Sequence, residues 1–135
     1  LLDNFDNVTG MDLHPYVRNH NKKINPRADF VVCDFLEMTE ENKYDVIFAF
    51  DVMEHIEDAS KFADKMAALA NQYVVVQVPV DRQLKPVNNN PKGFDGHVHY
   101  FSEESLKSVF TKNNLFQCEF MYKSKRGQFG HFFYI

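Results

Sequence analysis

The fifteen residues from Tyr44 to Asp58, YDVIFAFDVMEHIED, constrain this chain more than any other stretch. They open on an apolar run of strand length, Val46 to Phe50, and then break into polar chemistry at Asp51, Glu54, His55, Glu57 and Asp58. An unbroken apolar run suits a buried parallel strand covered on both faces, and a helical pattern from Ala59 onward supplies one cover. In open α/β sheets, ligands sit beyond the carboxyl ends of the strands. Asp51 to His55 therefore falls at the edge of an expected binding site.

The rest of the chain alternates around that stretch. Val8 to Leu13 reads as a short strand ending in an acid, and a ragged helix follows from His14 to Lys23 with Pro15 in its first turn. Asn25-Pro26 punctuates, and Ala28 to Cys33 is a second strand ending in an acid, Asp34. After Asp58, the residues Ala59, Phe62, Ala63, Met66, Leu69 and Ala70 recur every three or four positions and predict a helix closed by Asn71. Tyr73 to Val78 is a β-branched strand stopped by Pro79. Residues 80 to 99 form a long loop of the kind that serves as a lid or stays irregular. Ser102 caps a helix with Glu103 and Glu104 in its first turn. Phe116 to Tyr122 and Phe129 to Ile135 pair across a Lys-Arg-Gly turn as an antiparallel hairpin, with one strand at or near a sheet edge. This order predicts a doubly wound α/β fold with a mostly parallel sheet and a C-terminal antiparallel hairpin.

Composition narrows the class. With 135 residues, 44% hydrophobic and 25% charged, the chain has the size and balance of one soluble globular domain. A formal charge of −4 gives no basic footprint for nucleic acid. No apolar run is long enough to cross a bilayer, and no secretory pattern opens the sequence. Cys33 and Cys118 lie in predicted strands without metal-type spacing, which reads as two buried thiols in a reducing, cytoplasmic compartment. Nothing in the sequence bears on oligomeric state.

Asp12 and Asp34 each close a strand, and an acid there is suited to accept hydrogen bonds from ribose hydroxyls. Either alone is equally at home as a helix cap or turn aspartate. Two in series, followed by the YDVI strand and its acid-rich break, resemble the class I S-adenosylmethionine-dependent methyltransferases. VTGMDLHP looks like that family's second strand, ADFVVCDF its third, KYDVIFAFDVMEHIED its fourth and YVVVQVPV its fifth. GHVHYFSEESLKSVFTKNNL is similar to the segment that leads into a late helix. The resemblance covers nearly the whole chain, and DVMEHIED together with GHVHYFSEESL carries most of its specificity. The family's first strand and glycine-rich loop have no counterpart here. That strand would lie between those ending at Asp12 and Phe50, so we expect it upstream of Leu1, with residues 1–135 a single, N-terminally incomplete domain.

The resemblance implies methyl transfer from S-adenosylmethionine to a small-molecule acceptor. Asp12 would accept from the ribose hydroxyls, with Leu13 packed on the adenine, and Asp34 would take the adenine amino group, with Phe35 lining its face. The backbone around Phe48 to Phe50 would run past the methionine end, and Asp51, a further cofactor contact, would border the substrate. Glu54 and His55 would open the next helix beside the reaction centre. His55 is read as a general base or substrate-positioning group, or else as a residue that orients the loop or caps the helix. His97 and His99, two apart in an extended segment, share a side and become candidate substrate contacts, with His99 a second candidate base. Some branches hold a divalent ion on a Glu-x-x-Glu-His set plus a distal His. Here Asp51 replaces the first Glu, and its shorter reach leads us to expect no metal. The basic turn Lys123 to Arg126 reads as a solvated tip. The alternative to catalysis is a binding or partner subunit that keeps the fold without the chemistry.

Overall fold

The computed structural model describes residues 4–39, 41, 43–79, 96–111, 117–122 and 128–134. They belong to two compact units, Leu1–Thr39 and Glu40–Ile135, each taken by itself below.

The first unit is a strand, a helix and a strand. β1 (Thr9–Asp12) pairs in parallel with β2 (Asp29–Val32), Asp12 opposite Val32. Gly10 faces Phe30, and a Cβ at Gly10 would lie 2.6 Å from the Phe30 ring, so the close approach needs a glycine. α1 (Pro15–Ile24) crosses between the strands. Its start is set by Pro15 at the first position and by His14, whose Nδ1 accepts the Tyr16 N–H at 3.2 Å. Lys22 and Lys23 sit in its last turn, where the helix dipole favours cations, and Lys22 Nζ donates to the Ala28 carbonyl at 2.7 Å.

The second unit carries the remaining strands as one sheet in the order β3-β4-β6-β5. β3 (Tyr44–Phe50) and β4 (Ala70–Pro79) are parallel, with Phe50 opposite Gln77. β6 (Gln128–Tyr134) runs antiparallel to β4 and to β5 (Gln117–Tyr122). The hairpin therefore places β5 at the edge and inserts β6 beside β4. β4 is the centre of the core: Val74, Val75, Val76 and Val78 are all buried, as a strand covered on both faces requires. Along β3, Ala49 is buried and Val46, Ile47 and Phe48 are half-buried, and among the described residues its strand partner is β4.

α2 (Ala59–Leu69) begins where Asp58 Oδ1 accepts the Lys61 N–H at 2.9 Å. It packs on β3 and β4 through Phe62, Ala63, Met66 and Leu69. It ends two residues before Asn71, because Ala70 is already extended and paired with Tyr44. The chain passes from helix to strand with no loop. α3 (Glu103–Thr111) packs against α2 and buries Leu106 and Phe110. Its start is a reciprocal cap: the Ser105 N–H donates to Ser102 Oγ at 3.1 Å, and the Ser102 N–H to Ser105 Oγ at 2.8 Å. Residues 80–95 of the expected loop, the side chain of Cys118 and the tip at Lys123 to Arg126 lie outside the described residues. Cys33 is a free, half-buried thiol one position beyond β2. Among the described residues, no helix is long and apolar enough to cross a membrane.

Leu69 is fully buried at the helix-to-strand junction, where neither element can shift without the other. Leu69→Ala is expected to lower unfolding free energy by about 2–5 kcal/mol in urea titration, the range for a large-to-small core change.

Candidate functional site

In the first unit, Asp12 and Asp34 lie at the same end of the parallel pair. Asp12 closes β1, Cys33 N–H donates to its carbonyl at 3.1 Å, and Asp34 follows directly. Each carboxylate is exposed and spends one oxygen locally. Asp12 Oδ1 accepts the His14 N–H at 2.7 Å, and Asp34 Oδ1 accepts the Leu36 N–H at 2.9 Å, capping the 3-10 turn Phe35–Glu37. Both are thus turn acids, and among the described residues the second oxygen of each takes no hydrogen bond. Leu13 is 68% exposed beside Asp12, and Phe35 is half-buried beside Asp34.

The second unit gathers the polar residues that follow β3. Asp51 leaves the strand with φ 54°, a left-handed conformation that few non-glycine residues adopt. Its N–H donates to the Gln77 carbonyl at 2.9 Å, and its Oδ2 accepts from Gln77 Nε2 at 3.1 Å. Phe50, next to it, is 45% exposed. Glu54 and His55 do not open α2 as the sequence leads one to expect. They close a separate 3-10 turn, Met53–His55, before Asp58 caps the helix. The turn buries Met53 and Glu54 and leaves His55 outside.

Residues 96–99 are laced onto that turn. The Glu54 carbonyl accepts the N–H groups of Val98 and His99 at 2.8 and 3.1 Å. Gly96, at φ 80°, presents its carbonyl 3.3 Å from His55 Nδ1. A carbonyl only accepts, so this contact puts the proton on Nδ1 and leaves the Nε2 lone pair of His55 open. His99 is set the other way, with Nε2 donating to the Glu57 carbonyl at 3.0 Å. The His55 and His97 rings meet edge to face, centroids 4.7 Å apart, and His97 Nε2 lies 4.0 Å from Glu54 Oε1.

Glu54 is the buried acid of this group, 1% exposed, and its Oε2 has no hydrogen-bond partner among the described residues. Burial pushes its carboxyl above the ordinary value of 4.5. The Asp51 charge adds to that push, while the backbone N–H of Glu54 and the imidazoles of His55 and His97 oppose it. Ligand atoms of Glu54, His55 and His97 all lie within 4.8 Å of one another. One carboxylate and two imidazoles are the donor set of a borderline divalent ion rather than of magnesium, and Asp51 and His99 stand outside the trio. Two contributors were not singled out from the sequence. Gln77 signals itself only as the one polar residue inside VVVQVPV, and Gly96 only as the glycine before His97.

With this geometry in hand, the comparisons define the class. The chain belongs to the methyltransferase-domain family, which it matches over residues 1–116, as its motifs indicated. Magnesium protoporphyrin IX methyltransferase (ChlM) from Synechocystis with bound SAH is similar at TM-score 0.72 and 16% identity, over 95% of this chain and 63% of that one. Burkholderia thailandensis 1,6-didemethyltoxoflavin-N1-methyltransferase, with bound 1,6-didemethyltoxoflavin and S-adenosylhomocysteine, is similar at TM-score 0.65 and 15% identity, over 94% and 60%. The [4+2]-cyclase SpnF gives TM-score 0.64 and 13% identity, over 84% and 44%. The chain thus spans less than two thirds of the length of each of these proteins. The likeness establishes the Rossmann-like methyltransferase fold read from the sequence. No curated protein sequence is significantly similar to the chain.

The raised Glu54 carboxyl has a stability consequence. A folded-state value above the unfolded one means the folded protein holds the proton more tightly. The contribution is full below the ordinary value of 4.5 and is lost as pH rises through the folded value. Glu54→Gln removes that loss. Urea unfolding from acid to neutral pH should show the variant gaining on the wild type as pH climbs through this window, and parallel curves would contradict the assignment.

Proposed function

We propose that this domain transfers the methyl group of S-adenosylmethionine to a small-molecule acceptor. The single observation that carries the reading is the pair of exposed carboxylates, Asp12 and Asp34, at the same end of two parallel strands in a chain of the methyltransferase family. The bound SAH of the ChlM structure and the toxoflavin precursor of the Burkholderia enzyme support the choice of cofactor and of a small acceptor. Asp12 accepts from the ribose hydroxyls, with Leu13 against the adenine. Asp34 takes the adenine amino group, with Phe35 beside it. Phe50 and Asp51 serve the methionine end.

At the reacting end, His55 accepts the acceptor's proton at Nε2, the nitrogen left open by the Gly96 carbonyl. Bound there, S-adenosylmethionine would supply an activated methyl group for in-line transfer to the acceptor atom, its sulfur keeping the electron pair of the bond it gives up. His97 stands beside the acceptor with the Glu54 carboxyl behind it. His99, committed to Glu57 through Nε2, braces the segment and has Nδ1 left for a ligand. The sulfonium is already an activated leaving group, and this scheme assigns no step to a metal. Positioning two bound reactants supplies most of the acceleration, up to about 7–11 kcal/mol. A cytoplasmic setting suits the free Cys33 thiol.

Titration calorimetry with S-adenosylhomocysteine tests the reading. Asp12→Asn keeps an oxygen for the His14 N–H, removes the charge and replaces the second acceptor oxygen by an NH2 donor. We expect it to weaken binding roughly ten- to a hundredfold, the cost of a charge-assisted hydrogen bond, whereas His55→Ala binds like the wild type. No binding by the wild-type chain, or undiminished binding by Asp12→Asn, would refute it.

A further inference from the structure

Gln77 has no part in the scheme so far, yet it grips the one described non-glycine residue in the left-handed region. It sits half-buried on β4 opposite Phe50, between buried Val76 and Val78. From there its carbonyl receives the Asp51 N–H at 2.9 Å, and its Nε2 donates to Asp51 Oδ2 at 3.1 Å. Two bonds from one residue fix both the backbone and the carboxylate of Asp51. Oδ1 takes no hydrogen bond among the described residues, and Asp51 is exposed. A carboxylate with one oxygen anchored and the other offered is built to receive a cationic donor.

We infer that Gln77 is a positioning residue that aims the Asp51 carboxylate at the ammonium group of the cofactor's amino-acid part. The inference rests on the methyl-transfer reading and adds a residue to it. A non-glycine residue held in a sparsely populated conformation costs stability, and such strain collects at functional sites. A purely structural clamp would make the same two bonds, so the test must separate the two roles.

Two probes do so: S-adenosylhomocysteine, which carries the ammonium, and methylthioadenosine, which shares its nucleoside and lacks the amino-acid part. Both are titrated into the full chain as wild type, Gln77→Met and Asp51→Gly, with thermal melts alongside. Gln77→Met matches the side chain in size and removes the donor. It should weaken S-adenosylhomocysteine about tenfold and leave methylthioadenosine unchanged. Asp51→Gly removes the carboxylate while glycine accepts the positive φ without strain, so it should keep or raise the melting temperature and show the same selective loss. Gln77→Met binding both probes like the wild type, or losing both equally, would overturn the inference while sparing the methyl-transfer reading. A wild-type chain that binds neither probe would sink both together.

Discussion

The Glu54 carbonyl oxygen accepts the N–H groups of both Val98 and His99, and through that pair of bonds a segment some forty residues distant in sequence is drawn onto the turn after β3. The remaining contacts of the cluster follow from it. Once residues 96–99 are fastened there, the Gly96 carbonyl reaches His55, the His97 ring meets His55, and His99 reaches Glu57. Main-chain groups do the fastening, which leaves the Glu54 carboxyl and Nε2 of His55 out of it. Assembly of the Glu54, His55 and His97 side chains depends on backbone geometry, including a glycine at positive φ, more than on any bond among themselves.

The same turn sets the electrostatics. Met53 and Glu54 point inward because a tight turn between a strand and a helix must bury something, and here one of the two is a carboxyl. Burial raises its proton affinity, the Asp51 charge raises it further, and two imidazoles work against both. A buried carboxyl of shifted proton affinity beside two imidazoles marks a candidate for chemistry. Fold alone does not select that chemistry. The likeness to a protein described as a cyclase, beside two described as methyltransferases, makes the point within one architecture.

Much of the architecture was legible because its signals are local. The apolar stripe of α2, the proline at the start of α1, the serine cap of α3 and the β-branched run of β4 all act within a few residues of themselves. Family motifs named four strands in chain order, and β1 to β4 fall on those segments. What escaped was set by pairing. The start of β4 at Ala70 follows from its pairing with Tyr44, which local pattern does not contain.

The candidate site divides along the same line. Sequence by itself determined which ionisable residues follow the strands: Asp12, Asp34, Asp51, Glu54 and His55. It did so because a run of apolar residues ending in acids has few folds open to it. Tertiary structure alone decided what each of them does with its atoms. Asp12 and Asp34 each spend one oxygen on a turn, Glu54 is buried, and Asp51 is clasped by Gln77. His55 and His99 are fixed with opposite nitrogens bound. Hydrogen bonds and burial between residues far apart in the chain belong to the folded pairing, and no spacing within the sequence encodes their direction.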